Sequence, residues 1–507
     1  MPLKSSTVGF VYLGKIYSAI LAVLLIPQVI KHIGYEAYGL VGIFVVLQAC
    51  LSILDAGISG VLTRQSITSR VDHISYSDFV NVFNKIVKVF IFVGLLTVLL
   101  GGIFSFNYSV TWLNSNLNDD VVIYCTAAMF FIFAIRYVQG PYRSILLSNE
   151  QHKLITAINV IYVTLSQPVA LLFIIYINDS VLTYFLVQIG AALITSIIMV
   201  ISGECTKNNI LSSLNNSPSH IHESLNVKSI IFFGLQLSTL SILWIAVNQS
   251  DKLTLTASME LEEYTFYSVA FSITALLTIL SEPVNQILLP RLTKLYHEKM
   301  YEDFKLLFER SICIISSISL SLAAFMFFNG ESLLFVWGGD LSLASKVNIY
   351  LPWIFIGSTF AVLSNFTFLL RYSFGELRIH TFVYAIFAVI VIPLNVYLGW
   401  EYKGEGVALF FAANSFLLFI FWSGYNFYHY FENGIRLIFL VVLPILIISM
   451  SYFYCINYVE LAFENRFWQF VLLLLKGIGC VGVTYLFVLK IRPLLNLKLK
   501  NVQDLLL

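Results

Sequence analysis

Residues 8–30 read VGFVYLGKIYSAILAVLLIPQVI, an apolar run broken by a single charge, Lys15. A helix rises about 1.5 Å per residue, so this run is long enough to cross a hydrocarbon core of about 30 Å. It is too long for the apolar centre of a cleavable secretory signal. It also ends in Pro27, Gln28 and Lys31 rather than in a small-residue cleavage site. It therefore reads as a first spanning helix, and the rest of the chain repeats the pattern. Thirteen further runs follow, at roughly 39–62, 86–107, 120–140, 154–177, 181–203, 229–250, 264–289, 309–329, 347–370, 380–399, 405–424, 437–457 and 468–489.

Composition agrees. Of the 507 residues, 59% are hydrophobic and 11% charged, against about a quarter charged in a soluble domain. A chain so poor in charge cannot cover a water-facing surface, which excludes a soluble enzyme, a disulfide scaffold and a disordered chain. The expected fold is an all-α polytopic membrane protein of about 14 transmembrane helices. The net charge of +1 gives no footprint for nucleic acid. The six cysteines are scattered and mostly lie in apolar runs, so they read as reduced packing residues. No histidine falls in a ligand constellation, and no metal site is expected.

Charge asymmetry orients the spans. With the N-terminus and every second loop assigned to the cytoplasm, those segments hold 22 of the 29 Lys and Arg, among them Arg136, Arg143 and Arg371, read as anchors at span ends. Both termini are then cytoplasmic. The polar stretch 204–228, with Asn215, Asn216, Ser217 and Pro218, reads as the main linker. The expected division is residues 1–203 as an N-lobe of six spans, 204–228 as a cytoplasmic linker, 229–424 as a C-lobe of six spans, and 425–507 as spans thirteen and fourteen with a tail. No outer loop is long enough for the extracellular chemistry of a polymerase or ligase. There is no G-x-x-x-x-G-K-[ST] loop, so the chain is not expected to hydrolyse ATP.

The second and eighth spans look alike. Glu36, Asp55 and Arg64 recur as Glu263, Glu282 and Arg291, each 227 residues later. Such a repeat would relate two six-span halves of the same orientation by a pseudo-two-fold axis along the membrane normal, with a cavity between them that opens by rocking. Each copy carries a helix-disturbing residue beside its acid, Gly57 after Asp55 and Pro283 after Glu282. These fit a bending helix next to a substrate site or ordinary close packing.

An ionisable group at bilayer depth costs about 2.5–3.5 kcal/mol on insertion scales, so it is usually paired or functional. Lys15 either snorkels or contacts an anion from a cavity wall. Asp55 lies about 13 Å along the helix from Arg64, too deep for a short side chain to escape. Arg64 and Arg291 anchor their spans or, as a symmetric pair, clamp a phosphate or pyrophosphate. Asp251 and Lys252, after Asn248 and Gln249, form a solvated ion pair at an outer span end or a substrate contact. Lys476 in span fourteen reads as structural.

The order of these features resembles a known family. Ile26-Pro27, Ile33-Gly34-Tyr35-Glu36-Ala37-Tyr38-Gly39-Leu40 and Leu54-Asp55-Ala56-Gly57-Ile58 are similar to the opening of bacterial polysaccharide flippases. So are Asp251-Lys252-Leu253, Tyr264 with Tyr267-Ser268-Val269-Ala270, and Leu289-Pro290-Arg291-Leu292 in the second half. The pattern resembles the O-antigen flippases, Wzx, of the polysaccharide-transporter branch of the multidrug/oligosaccharidyl-lipid/polysaccharide superfamily. It departs at Thr265-Phe266, where family members often carry a glycine. The resemblance implies no enzyme activity. It implies a V-shaped two-lobe transporter with a cationic cavity, in the bacterial inner membrane. Its substrate would be an undecaprenyl-pyrophosphate-linked oligosaccharide repeat unit, moved by alternating access. Lys15, Arg64, Arg291, Asp251 and Lys252 would line the cavity. Asp55, Glu282, Gly57 and Pro283 would couple or gate the motion, with H+ or Na+ as the only accessory. A polysaccharide polymerase and a chain-length regulator would be partners. The rival readings are a cation-coupled multidrug exporter and a peptidoglycan lipid-precursor flippase of the same superfamily.

Overall fold

A computed structural model of the chain describes residues 5–70, 73–214, 227–458 and 465–499. Within these, side chains are described except at 5, 6, 8, 51–58, 73, 227–241 and 278–287. The chain is helical almost throughout. Eleven helices of described residues are long and apolar enough to span a membrane. Three more long helices fall where the second, seventh and eighth spans are expected, and each contains some of the excluded side chains.

In chain order these are α1 (Gly9–Ile33), α2 (Tyr35–Thr68), α3 (Ile74–Asn107), α4 (Asp119–Ser148), α5 (His152–Tyr176), α6 (Val181–Ser213), α7 (Val227–Ser258), α8 (Ala275–His297), α9 (Tyr301–Gly338), α10 (Leu351–Ser373), α11 (Leu377–Glu401), α12 (Lys403–Tyr430), α13 (Leu437–Asn457) and α14 (Arg466–Leu495). A shorter helix, Leu261–Ile273, leads into α8 through Thr274. The fourteen expected spans are thus all met by helices.

Contacts divide the chain into two compact units, one of Met1–Thr265 with Ala388–Val396 and one of Phe266–Phe387 with Tyr397–Leu507. This boundary lies beyond the 204–228 stretch because α7 packs along α2 and stays with the first unit. At Gly39 of α2, an added Cβ would sit 2.6 Å from the Leu261 carbonyl oxygen, so only glycine fits. Thr265 Oγ1 donates to the Tyr35 carbonyl at 2.7 Å, and the Asn116 amide donates to the Glu36 carboxylate.

In the first unit, α4 packs against α3 and α6, and its last third against α2. Buried rings knit one end of this bundle: Phe83 meets Tyr142 edge-on at 5.6 Å and Phe90 stacks on Tyr137 at 4.5 Å. Helix α1 is peripheral and packs chiefly on α5. Its contact is tight, since a Cβ at Gly14 would lie 2.3 Å from Thr156 Cγ2. On its other face Leu13, Ile16, Ile20 and Leu24 recur at helical spacing and are exposed. Phe92, Leu95, Leu99, Ile103 and Phe106 do the same on α3. Such rows need lipid rather than water as their solvent.

The second unit is built around α9, which packs on α8, α10, α13 and α14. The last two spans are therefore core elements of this unit. Val441, Val442, Ile445 and Val488 are buried in the same cluster as Phe308 and Phe366. The chain after α14 is tied down by an antiparallel ribbon between β1 (Phe431–Glu432) and β2 (Lys498–Leu499), beside the Arg492–Glu309 ion pair of 2.7 Å.

Each unit also carries its own copy of one helix-end contact. Ser66 Oγ meets Ser148 Oγ at 2.8 Å in the first, and Thr293 Oγ1 meets Ser373 Oγ at 3.5 Å in the second. The partners lie 227 and 225 residues apart. Pro168 inside α5 recurs as Pro393 inside α11, again 225 residues later. The repeat seen in three charged residues therefore extends to contacts and helix breakers.

Candidate functional site

The first unit contains a polar layer deep inside its spans. Its centre is Arg136. Only the turn at Val138 interrupts α4, so Arg136 stands about 25 Å along from Asp119, with about 18 Å of helix still to follow. This corrects its reading as an anchor at a span end. The guanidinium donates to Gln48 Oε1 on α2 at 2.7 Å, and to the Tyr162 hydroxyl on α5 at 3.4 Å. It also lies 4.4 Å from the centre of the Tyr162 ring. Among the described residues none of its partners is a carboxylate, and the side chain is only half-buried. Among the described residues, then, no carboxylate faces the Arg136 guanidinium inside the spanning bundle.

The layer continues through α5 and α6. The Tyr162 hydroxyl donates to Gln188 Oε1 at 3.3 Å, and Gln188 Nε2 donates to the Ser166 carbonyl at 2.8 Å. Ser166 sits in a π-helical turn, Leu165–Val169, opened around Pro168. Proline has no N–H to continue the ladder, and widened turns leave carbonyls in need of other donors. Gln188 supplies one. Nearby, Gln139 donates to Ser196. The signal that could have revealed the layer is Gln48, Gln139, Gln167 and Gln188 standing inside apolar runs, together with an arginine.

Asp251 and Lys252 come together, but not as a solvated pair. They are 3% and 7% exposed, two turns before α7 ends at Ser258. Lys252 Nζ lies 3.1 and 3.2 Å from the Asp251 carboxylate oxygens and 2.7 Å from the Asn248 carbonyl. Next to them Asn395 donates to Ser250 Oγ at 2.7 Å. Burial follows from α7 packing against α2, which sequence position near a span end does not disclose.

The other predicted positions lie on α1, α2 and α8. Lys15 is half-buried and lies off the exposed row of α1. Arg64 is exposed near the end of α2, and Arg291 is exposed in the last third of α8. Asp55 and Gly57 fall in α2, and Glu282 and Pro283 in α8, but their side chains lie outside the described residues.

Arg371 is not the anchor it seemed. It is 1% exposed, donates to Glu376 at 3.0 Å and to Asn426 at 2.5 Å, and faces the rings of Trp422 and Tyr430. Tyr430 donates to the same Glu376 at 2.6 Å. This arginine ties α10 to α12 and has a structural role. Lys476 likewise serves packing, donating to Asn457 at 2.9 Å and so tying α14 to α13. Among the described residues no group of three His, Cys, Asp or Glu could hold a metal ion, and the cysteines are free thiols.

The family profile described as "Polysaccharide biosynthesis protein" matches residues 6–296, more than half of the chain, and the profile MatE matches residues 262–397. No curated protein sequence matches the chain. Among solved structures, the lipid II flippase MurJ in an inward closed conformation is similar, with a TM-score of 0.66 and 11% identity. It covers 96% of this chain and 99% of its own. A multidrug resistance MATE family transporter of the MOP superfamily in an inward-facing conformation has a TM-score of 0.59 and 12% identity, over 82% of this chain and 94% of its own. A MOP superfamily transporter from Pyrococcus furiosus has a TM-score of 0.54 and 14% identity, over 83% and 95%. At such identities the likeness is one of fold, and it joins the profile match and the span pattern. The chain belongs to the polysaccharide biosynthesis protein family, and it is a multi-pass membrane protein with the fold seen in transporters of the MOP superfamily.

Proposed function

We propose that this chain is a flippase for undecaprenyl-pyrophosphate-linked oligosaccharide repeat units of a surface polysaccharide such as O-antigen. It would carry them from the cytoplasmic to the periplasmic leaflet of a bacterial inner membrane by alternating access. The observation that carries this reading is Arg136, which stands inside the spans of a polysaccharide biosynthesis family member with no carboxylate partner among the described residues. A pyrophosphate cannot cross hydrocarbon without a partner for its charge, and a half-buried guanidinium with neutral neighbours is suited to be that partner. Lys15, Arg64, Arg291, Asp251 and Lys252 are proposed as further contacts for the headgroup and glycan. Asp55 and Glu282 are proposed to take up H+ or Na+ as coupling ion, with Gly57 and Pro283 permitting the helix motion. The polysaccharide polymerase and chain-length regulator are proposed to receive the product. Both termini are assigned to the cytoplasm from the charge bias.

A second reading, a peptidoglycan lipid-precursor flippase, is favoured by one observation. The MurJ structure covers 96% of the chain, whereas the inward-facing MATE family transporter covers 82%. Both readings give a lipid-linked sugar rather than a free drug cation, which disfavours the multidrug exporter. Deleting the gene separates them. Viable cells that lose long-chain glycan and accumulate lipid-linked single repeat units on the cytoplasmic side support the first reading. Death with arrested peptidoglycan synthesis supports the second. Intact glycan with raised drug sensitivity rejects both.

A further inference from the structure

Building on the flippase reading, we infer that Arg136 reports the arrival of the phosphate headgroup to the proline bend of α5, through Tyr162 and Gln188. Arg136 on α4 holds Gln48 and the face and hydroxyl of Tyr162. Tyr162 on α5 holds Gln188 on α6, and Gln188 returns to α5 at Ser166, inside the π-helical turn at Pro168. Gln188 and Ser166 are both at most 2% exposed, so water cannot substitute for either end of that last bond. A bend in a spanning helix is stable only while its open carbonyls are satisfied by a neighbour. Here the neighbour is one amide, and Tyr162 together with Tyr184 orients it.

The relay is weakly held at its input and firmly held at its output. A guanidinium has five N–H donors, and Arg136 spends one on a short bond and shares another at 3.4 Å. Its acceptors are a neutral amide and a phenol. A phosphate oxygen makes a charge-assisted bond roughly twice as strong as a neutral one, so an anionic headgroup outcompetes both. Drawing the guanidinium away leaves the Tyr162 hydroxyl only the long bond from Gln48 Nε2, at 3.5 Å, and loosens the hydroxyl's hold on Gln188. The restraint on the α5 bend then changes without any direct contact between substrate and α5. In this scheme Arg136 is the binding group, and Tyr162 and Gln188 are positioning residues.

The test separates binding from turnover in the full chain. Undecaprenyl pyrophosphate is the binding probe, with neutral undecaprenol as its control. Transport is followed in proteoliposomes with a lipid-pyrophosphate-linked oligosaccharide. Arg136→Gln is expected to weaken binding at least tenfold. Tyr162→Phe keeps the ring and the packing and removes only the hydroxyl. It is expected to leave binding within about twofold and to lower the turnover number at least tenfold. Gln188→Met should behave as Tyr162→Phe does. Normal turnover in Tyr162→Phe, or equal losses of binding and turnover in both positioning variants, overturns the relay. Wild-type protein that binds the pyrophosphate lipid no better than undecaprenol overturns the flippase reading and the relay with it.

Discussion

Removing Lys252 alone should destabilise the protein far more than removing Lys252 and Asp251 together. Both side chains are more than nine-tenths buried, and the ammonium lies within 3.1 and 3.2 Å of the two carboxylate oxygens. Lys252→Met keeps the volume of the stem but leaves the Asp251 carboxylate without its cation. Breaking a buried pair from one side costs about 3–5 kcal/mol, whereas replacing both partners by neutral groups is often near neutral. A cooperative body of 150–250 residues shifts its melting point by about 2–4 °C per kcal/mol, so about 3 kcal/mol corresponds to about 6–12 °C. The assay is thermal unfolding of the detergent-purified chain followed by intrinsic fluorescence. Lys252→Met should melt several degrees below wild type, and Asp251→Asn/Lys252→Met should recover most of the loss. Equal melting points for the wild type and the single variant would refute the burial argument. A double variant at least as unstable as the single would refute the pairing. If the pair also contacts substrate, the double variant will be stable yet slow in transport, which separates the two roles in one experiment.

Other perturbations follow from the same contacts. Arg371→Met removes the cation shared by Glu376, Asn426, Trp422 and Tyr430, and should lower the melting point by several degrees, with about 2–4 kcal/mol lost. Gly14→Leu drives a side chain into Thr156, 2.3 Å from the added Cβ, and should reduce folded yield; the milder Gly14→Ala should be rescued by Thr156→Ser, which removes the clashing methyl. The exposed Lys294–Glu298 pair, 3.6 Å apart, is expected to matter by less than about 0.5 kcal/mol when Lys294 becomes Ala, read as an unchanged melting point. Arg64→Ala/Arg291→Ala should abolish transport in proteoliposomes while membrane insertion stays intact; wild-type transport in that double variant removes both arginines from the proposed substrate contacts.

The spans were legible because a hydrocarbon solvent imposes one simple rule, a long apolar run for each crossing. The repeat was legible too, since Glu36, Asp55 and Arg64 keep their spacing in Glu263, Glu282 and Arg291. What the linear pattern could not provide was burial by neighbouring helices. Asp251 and Lys252 stand near a span end and look solvated, and only the packing of α7 on α2 removes them from water. Arg136 looked like an anchor because basic residues cluster at cytoplasmic span ends. It took the continuation of α4 to Ser148 to place it inside. The same positional rule misled for Arg371, which is buried by Trp422, Asn426 and Tyr430 from α12, far along the chain.

The central claim is that the protein moves a pyrophosphate-linked glycan lipid between leaflets. It is tested most directly in proteoliposomes holding a fluorescent undecaprenyl-pyrophosphate-linked oligosaccharide, with the outward-facing label quenched from outside. Vesicles with wild-type protein are expected to expose the inner pool over time, and vesicles with Arg136→Gln to do so at least tenfold more slowly. Exposure no faster with the wild-type protein than in protein-free vesicles would contradict the claim.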